Sequence, residues 1–318
     1  MSNIAECVPN FSEGRDAEVL RRIEAAIRGA GAPLLDRHAD PDHNRSVFTL
    51  AGSLGSLRRA VLDSAAVAVK SIDLRAHRGT HPRVGAIDVV PLVPLGEVRP
   101  ADCVDAARDL GDRLWSELRL PVYFYGKAAS RPARERLESV RKLGFERLAE
   151  LARGGDIPPD VGGPELHPTA GACCVGVREC MVAFNVRLEG RDARTARRIA
   201  RSVRQSAGGL PGVKALGMYL DSAGLAQVSM NLTDLGRTPV FAAFDAVCRE
   251  ATRLGATVLG SELVGLAPRA ALGADPSRLR IAGFNRSMIL EDRLVEAGTR
   301  GDGGARSADR HAPERMTR

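Results

Sequence analysis

Two histidines and three arginines lie together in one short stretch of the chain, residues 74–95. Its first half is polar and cationic, with turn formers between the charged side chains: Arg75, His77, Arg78, Gly79, Thr80, His81, Pro82, Arg83 and Gly85. Its second half is almost wholly apolar and rich in β-branched residues, which is typical of a buried strand. Histidine exchanges protons near neutral pH, and a strand end positions a loop well. The stretch therefore indicates a catalytic or binding loop, although a solvated basic turn has the same composition.

His81 is the candidate for acid–base chemistry in this loop. The neighbouring cations Arg78 and Arg83 are expected to lower the pKa of its imidazole, which favours the neutral form that accepts a proton. A carboxylate from an earlier polar loop, Asp40 or Asp42, is a candidate to orient the ring. From spacing alone, a histidine that only braces the turn through a backbone hydrogen bond fits equally well.

The same histidines and carboxylates also resemble a set of metal ligands. The set comprises His38, Asp40, Asp42, His43, His77 and His81. A helix would bring the two imidazoles of an HxxxH pattern onto one face, but Gly79 and Pro82 favour a loop here. No motif fixes a number of ligands, so we expect no metal site. A metal-dependent hydrolase is kept as an alternative.

Composition narrows the class of protein. The chain has 318 residues, of which 44% are hydrophobic and 27% charged, which suits about two globular domains. No apolar run approaches the ~20 residues of a membrane helix, no secretory signal is visible, and the scattered cysteines form no CxxC pair. We therefore expect a cytoplasmic protein that has no membrane partner. The net charge of +7 permits an anionic partner, either nucleic acid or a small polycarboxylate.

Motifs for several functions are missing from the sequence. It has no GxSxG for nucleophilic catalysis, no GxxxxGK[ST] or GxGxxG for phosphates, and no run of aromatic residues typical of RNA-binding sheets. We expect small-molecule substrates and no nucleic acid.

The hydrophobic periodicity predicts the element order β-α-β-β-α-β twice. The first copy is predicted at 4–9, 17–28, 33–36, 46–51, 53–74 and 86–95, and the second at 180–188, 193–205, 214–220, 225–231, 239–254 and 256–264. The residues Glu-Gly-Arg-Asp-Ala follow the first strand of each copy, at 13–17 and 189–193. This pattern predicts an α+β fold of two ferredoxin-like units that arose by duplication and face each other across a ligand-binding cleft.

Other elements are expected between and after the two copies. A helix at 102–118, a strand at 121–125, a basic helix at 131–153 and a Gly- and Pro-rich connector at 154–171 complete the first half, and 269–295 is expected to be helical in two pieces. We expect an N-terminal subdomain at 1–177, a C-terminal subdomain at 178–297 and a disordered tail at 298–318.

Six segments of the chain resemble the signatures of the formiminotransferase family, in its stand-alone bacterial form. They are Glu6-Cys7-Val8-Pro9-Asn10-Phe11-Ser12-Glu13-Gly14, Asn44-Arg45-Ser46-Val47, His81-Pro82-Arg83-Val84-Gly85-Ala86-Ile87-Asp88, Ala183-Phe184-Asn185, Ala226-Gln227-Val228-Ser229-Met230-Asn231-Leu232 and Gly260-Ser261-Glu262-Leu263-Val264-Gly265-Leu266. The resemblance implies transfer of a formimidoyl group between glutamate and N5 of tetrahydrofolate. It also implies a homodimer with no tightly bound cofactor beyond the folate co-substrate.

The resemblance assigns roles to individual residues. His81 falls on the catalytic histidine. Mammalian members have an Asp-x-Asp pattern where this chain has Asp36-Arg37-His38, so either Asp40 or Asp42 replaces the second acidic residue or His38 itself assists. The expected substrate-binding residues are Asn10, Asn44, Arg45, Arg78 and Arg83. The expected folate-binding segment is Gly162, Gly163, Pro164, Glu165, Leu166, His167, Pro168, Thr169, Ala170 and Gly171. A formyl donor and a non-catalytic folate-binding protein are the remaining alternatives.

Overall fold

The computed structural model describes residues 4–80 and 82–298. The predicted catalytic residue His81 lies outside the described residues, as do residues 299–318 of the predicted tail. Within the described part, the first half contains β1 (Ala5–Cys7), β2 (Asn10–Phe11), α1 (Ala17–Gly29), β3 (Leu34–Asp40), β4 (Arg45–Gly52), α2 (Leu54–Ser71), β5 (Ile87–Pro94), α3 (Pro100–Leu118), β6 (Val122–Gly126), α4 (Glu138–Arg141), α5 (Gly144–Arg153) and β7 (Cys173–Val177). The second half contains β8 (Val182–Leu188), α6 (Ala193–Val203), β9 (Val213–Leu220), β10 (Leu225–Leu232), α7 (Val240–Arg253), β11 (Val258–Val264), α8 (Arg269–Leu272) and α9 (Leu290–Glu296).

The strands of the first half form one sheet. β1 and β2 both pair antiparallel with β4 and β5, so they act as one strand that is interrupted at Val8 and Pro9. Proline has no N–H to donate to a ladder, which explains the interruption. β3 pairs with the outer side of β4, and β7 and β6 extend the sheet beyond β5 in parallel.

The strands of the second half form a separate antiparallel sheet in the order β11-β8-β10-β9. The class of the fold, α+β with two sheets, is therefore as predicted. Its element order β8-α6-β9-β10-α7-β11 is also the predicted one.

The long helices of each sheet pack against one of its faces. In the first sheet, Phe48 and Leu50 pack with Ile23 of α1 and Leu57 of α2 in one buried core. In the second sheet, Phe184 meets Phe244 of α7 edge to face, with ring centroids 6.1 Å apart. Because side chains alternate along a strand, the residues between these core positions point away from the helices. We call that side of each sheet its open face.

The two open faces are turned toward each other and touch at their edges. At one edge, Leu35 and Ala51 of the first sheet pack with residues that follow β11, namely Leu266, Leu290 and Leu294. At the other edge, Met218 of β9 contacts His43, Ser222 donates to the Asp42 carboxylate, and Lys214 pairs with Glu138 of α4. The central strands β8 and β10 therefore lie above the open face of β4.

The structure differs from the prediction in three parts of the chain. The prediction of one basic helix at 131–153 is wrong, because this segment contains a 3₁₀ turn (Pro132–Arg134) followed by the two helices α4 and α5. The helices are separated near Gly144, whose φ is +72°. The second correction is β7, which was not predicted, because five small and apolar residues carry no clear period. The third is the segment 269–295, where the helices α8 and α9 are short and 3₁₀ turns lie between them. Gly273 and Gly283, both at positive φ, interrupt any longer helix there.

Candidate functional site

The loop that carries the predicted catalytic histidine is held against the loop between β3 and β4. Asn44, itself at φ +47°, accepts a hydrogen bond from the Gly14 N–H at 3.0 Å and donates to the Arg78 carbonyl at 3.1 Å. Thr80 N–H donates to the Asp42 carbonyl at 3.3 Å. A Cβ on Gly79 would lie 2.2 Å from the His43 carbonyl oxygen, so only glycine allows the two loops to approach this closely. The predicted substrate residue Asn44 is thus a bridge between the two loops.

His77 supports the same contact from inside the protein. Its Nε2 lies 2.8 Å from the Asn44 carbonyl oxygen, so Nε2 carries the proton and donates it. Burial lowers the pKa of His77, which keeps the ring neutral at physiological pH. Its Nδ1 is buried and has no hydrogen-bond partner among the residues that the structure describes.

Asp40 and His43 form a pair at the mouth of the inter-sheet space. His43 Nδ1 lies 2.9 Å from Asp40 Oδ2, and His43 Nε2 lies 3.1 Å from the Met218 sulfur. Burial alone would raise the pKa of Asp40, but hydrogen bonds from the His43 ring and from backbone N–H groups lower it to about 2. The carboxylate that the sequence suggested as a helper therefore has an imidazole partner, His43, that the sequence did not indicate. Asp42 is bound to Ser222 of the second sheet.

Four of the predicted site residues lie together on the open face of the first sheet. His38, Val47 and Asn10 are neighbours across β3, β4 and β2, and Asp40 is the cross-strand neighbour of Arg45. Direct cross-strand neighbours share a face, so His38, Asp40, Arg45 and Asn10 belong to one surface. Asn10 is buried and donates to the Val8 carbonyl at 2.6 Å.

Arg45 is a charged group on this surface that has no direct partner among the described residues. Its Nε is buried without a partner, and its guanidinium makes no hydrogen bond or ion pair within the described residues. Burial and the nearby Arg141 lower the pKa of Arg45 to about 9, although Asp88 and Asp40 oppose the shift. A partly buried cation that lacks a partner among the described residues lowers the stability of the folded protein, and such groups often mark ligand sites.

An ion pair that the sequence did not indicate lies beside Arg45. Arg141 Nη2 of α4 is 2.7 Å from Asp88 Oδ2, and the two side chains are 13% and 2% exposed. Asp88 Oδ1 also accepts the N–H groups of Val84 at 2.7 Å and Gly85 at 3.3 Å. Arg141 lies in the segment that was predicted as one basic helix, and only the fold shows that it pairs with Asp88.

The open face of the second sheet also carries polar side chains. Glu262 accepts hydrogen bonds from Arg187 at 2.9 Å and from Asn185 at 3.2 Å. Gln227 is 1% exposed, and its Oε1 has no partner in the described part of the chain. Asn185, Gln227 and Glu262 lie in three of the family-like segments, which is the signal that could have found them.

Arg78 and Arg83, both predicted to bind substrate, have partners inside the protein. Arg78 donates to the carbonyls of Arg75 and His77 at 2.9 and 2.8 Å. Arg83 binds Glu146 at 3.0 Å and the Leu74 carbonyl at 2.8 Å. Arg83 therefore braces the start of the loop against α5. Of the three predicted arginines, Arg45 alone has no such partner among the residues that the structure describes.

The predicted folate-binding segment packs against both flanks of the His81 loop. The Thr169 carbonyl accepts from Leu74 N–H at 2.8 Å, and the Ala170 carbonyl accepts from Ala86 N–H at 2.9 Å. The side chain of Ala170 is fully buried, whereas Glu165 is largely exposed. The end of the segment thus supports the loop, and its first half faces solvent.

Other features of the described residues lie away from this site. The described residues contain no group of three or more His, Cys, Asp or Glu side chains that could hold a metal ion. Surface cavities of about 670 and 420 Å³ lie beside Arg269 and Asp292, and beside Arg108 and Asp160, respectively. No helix in the described ranges is long and apolar enough to cross a membrane.

Comparison with known proteins identifies the family. The N-terminal subdomain of the formiminotransferase domain matches residues 4–178, and the formiminotransferase domain matches residues 181–298. The glutamate formimidoyltransferase of Streptococcus pyogenes serotype M1 is 39% identical over 93% of this chain and 100% of its own length. That of Thermoplasma acidophilum is 41% identical over 93% of this chain and 98% of its own length. The formimidoyltransferase-cyclodeaminase of Rattus norvegicus is 40% identical over 86% of this chain and 51% of its own length. The chain therefore belongs to the formiminotransferase family.

Proposed function

We propose that this protein transfers a formimidoyl group between N-formimidoyl-L-glutamate and N5 of tetrahydrofolate. The observation that carries the proposal is the match, over almost their full lengths, to two relatives named glutamate formimidoyltransferase. Arg45 on the open face, which has no partner among the described residues, supports it, because both substrates bear carboxylates and a guanidinium binds a carboxylate through two parallel hydrogen bonds.

The fold is proposed to be two ferredoxin-like units, an N-terminal subdomain at 1–177 and a C-terminal one at 178–297. The strand order supports this duplication. If β1 and β2 count as one strand, the first copy has the order β3-β4-β1/β2-β5 and the second has β9-β10-β8-β11, which is the same order of second, third, first and fourth strands. β6 and β7 are additions to the first copy.

In the proposed mechanism, His81 serves as the base and then as the acid. The glutamate amine attacks the amidine carbon only when it is neutral, so a base has to take its proton as the new C–N bond forms. The same proton then goes to folate N5 as the bond from that nitrogen to the amidine carbon breaks. In the opposite direction the two nitrogens exchange roles. No redox step and no second cofactor are needed.

The surroundings of His81 support this assignment through the residues that flank it. Thr80 is hydrogen-bonded to the Asp42 carbonyl, and Arg83 is fixed by Glu146 and the Leu74 carbonyl. A loop fixed at both ends can hold a proton-transferring group in one place, which is how orientation of bound substrates accelerates a reaction. We further propose that Asp40 or His38 assists, that folate contacts the 162–171 segment, and that the protein is a homodimer without a tightly bound cofactor.

A steady-state assay of His81→Ala tests the proposal. The variant is expected to lower kcat by about a hundredfold or more, because general acid–base catalysis contributes that much. Lys70→Ala, at the exposed end of α2, is the matched control and should keep wild-type kinetics. Transfer at the wild-type rate in His81→Ala would refute the role of His81, and N-formyl-L-glutamate assayed in parallel distinguishes a formyl donor.

A further inference from the structure

The charged groups around Arg45 are not all paired with one another within the described residues. Two guanidinium groups, Arg45 and Arg141, lie near two carboxylates, Asp88 and Asp40. Asp88 is paired with Arg141, and Asp40 is hydrogen-bonded to His43. Arg45 is therefore left without a directly bound anion in the described part of the chain. Within the same residues, Nε of Arg141 has no hydrogen-bond partner.

We infer that Arg45 and Arg141 form a carboxylate subsite on the open face of the first sheet, which receives one carboxylate of a glutamyl group. This inference rests on the proposed function, because it specifies which part of the substrate the site holds. The planar fork of a guanidinium matches the two oxygens of a carboxylate, and a second guanidinium adds charge and further donors. The adjacent positive charges exclude a metal cation as the occupant.

Two sources can supply this carboxylate. One is the N-formimidoyl-L-glutamate donor, which has an α- and a γ-carboxylate. The other is the glutamyl tail of tetrahydrofolate. Both sources present a glutamyl carboxylate, so substrate analogues that lack a carboxylate or the glutamyl tail have to distinguish them.

Asp88 connects this subsite to the loop that carries His81. Its Oδ2 holds Arg141, whereas its Oδ1 accepts the N–H groups of Val84 and Gly85, three and four residues after His81. A single carboxylate thus orients a binding arginine and also fixes the end of the catalytic loop. Asp88 is a positioning residue in this account, since it acts through Arg141 and through the loop backbone.

Substitutions at Arg141 separate the subsite from a structural role. Arg141→Gln is expected to lower kcat/KM for the complete substrates by about ten- to a hundredfold, the range for a lost hydrogen bond to a charged group. Arg141→Lys keeps the charge beside Asp88 and should recover part of the loss. The exposed neighbour Lys142→Gln removes the same charge from α4 and should behave like the wild type.

The analogues identify the carboxylate that is bound. They are N-formimidoyl-2-aminobutyrate, N-formimidoyl-4-aminobutyrate and tetrahydropteroate, which lack the γ-carboxylate, the α-carboxylate and the glutamyl tail. For the analogue that lacks the bound carboxylate, the effect of the substitution should disappear, so the wild type and Arg141→Gln should show kcat/KM values within about threefold of each other. Arg45→Gln should lose its effect with the same analogue. An equal loss in Arg141→Gln with every substrate, or no loss with any, would overturn the inference.

Asp88 has a test of its own. Asp88→Asn keeps an oxygen for the two N–H groups but loses the charge that holds Arg141, so KM should rise about tenfold with kcat within threefold. Asp88→Ala loses both contacts and should also lower kcat. If Asp88→Asn lowers kcat as much as Asp88→Ala does, the connection is wrong.

The subsite and the proposed function can fail separately. If the wild type shows no transfer, the proposed function fails, and titration calorimetry with N-formimidoyl-L-glutamate and with tetrahydrofolate then tests the subsite. Binding of either one by the wild type and Lys142→Gln, at least tenfold weaker in Arg141→Gln, would support the subsite. Equal binding by all three proteins, or no binding, would contradict it.

Discussion

Replacing Arg45 with methionine should make the ligand-free protein more stable and a poorer enzyme. The Arg45 guanidinium is charged at pH 7 and has no hydrogen-bond or ion-pair partner in the described residues, so the folded state carries the cost of its burial. Methionine has a similar length and fills the same space without a charge. The change therefore removes a cost in the folded state while it removes a binding group.

The pKa of Arg45 bounds the size of this effect. A shift from 12.5 to about 9 corresponds to an upper limit of about 5 kcal/mol at ~1.36 kcal/mol per pKa unit. Relaxation of the protein and access of water reduce such costs, and exchange of a buried charge for an apolar side chain stabilises by about 1–4 kcal/mol where it does so. We expect a gain of about 1–3 kcal/mol, which raises Tm by several degrees, at about 2–4 °C per kcal/mol.

Thermal and urea unfolding without ligand at pH 7, followed by circular dichroism, measure this gain. Arg37→Met is the control, because Arg37 is exposed on the neighbouring strand and has a partner in Glu24. Its loss should change the free energy of unfolding by less than about 1 kcal/mol. An Arg45→Met protein less stable than the wild type by more than the control would refute the reasoning, because it would show that the guanidinium is satisfied in the empty protein.

Three further predictions concern the loops and the buried charges. Gly79→Ala places a Cβ 2.2 Å from the His43 carbonyl oxygen, so the His81 loop should shift and kcat should fall by about tenfold or more in steady-state assays, with Tm changed little. Arg134→Met breaks its 2.6 Å ion pair with Asp160 and leaves a buried carboxylate, so urea unfolding should show a loss of about 3–5 kcal/mol; recovery of most of this loss in Arg134→Met/Asp160→Asn checks the cause. The pKa of Asp40 is lowered to about 2, so its carboxylate stabilises the folded protein above pH ~4, and this contribution is lost as pH falls through 2. In unfolding experiments, Asp40→Asn should therefore be less stable than the wild type at pH 6 and should converge with it near pH 2. A difference in stability that stays constant with pH would contradict this.

The regular elements could be predicted because their signals are local. α1 was expected at 17–28 and spans Ala17–Gly29, and the Asp16 carboxylate before it accepts the N–H groups of Glu18 and Val19. Helical periodicity and a capping residue lie within a few positions of each other, so no tertiary information is needed. β7 and the break at Gly144 could not be predicted, because a parallel partner and a positive φ become evident only in the folded chain.

The candidate site divides in the same way. The sequence indicated the polar segments 38–45 and 74–83, but it could not show that residues 38–40 belong to β3 or that Asn44 and Gly79 join the two segments. Residue type alone made Arg45, Arg78 and Arg83 equivalent, whereas the structure gives internal partners to Arg78 and Arg83. Nothing in the sequence indicated a role for Arg141, because its ion pair joins it to Asp88, which lies 53 positions earlier in the chain. The pairing of charged residues from distant segments cannot be predicted from their spacing in the sequence.

The central claim is the transfer of a formimidoyl group, and one assay tests it most directly. Purified protein is mixed with N-formimidoyl-L-glutamate and tetrahydrofolate, and the absorbance of the folate product is followed, with each substrate omitted in turn. The account predicts product only when both substrates are present and at least a hundredfold less in His81→Ala. Absence of product with the formimidoyl donor, or equal turnover in His81→Ala, would contradict it.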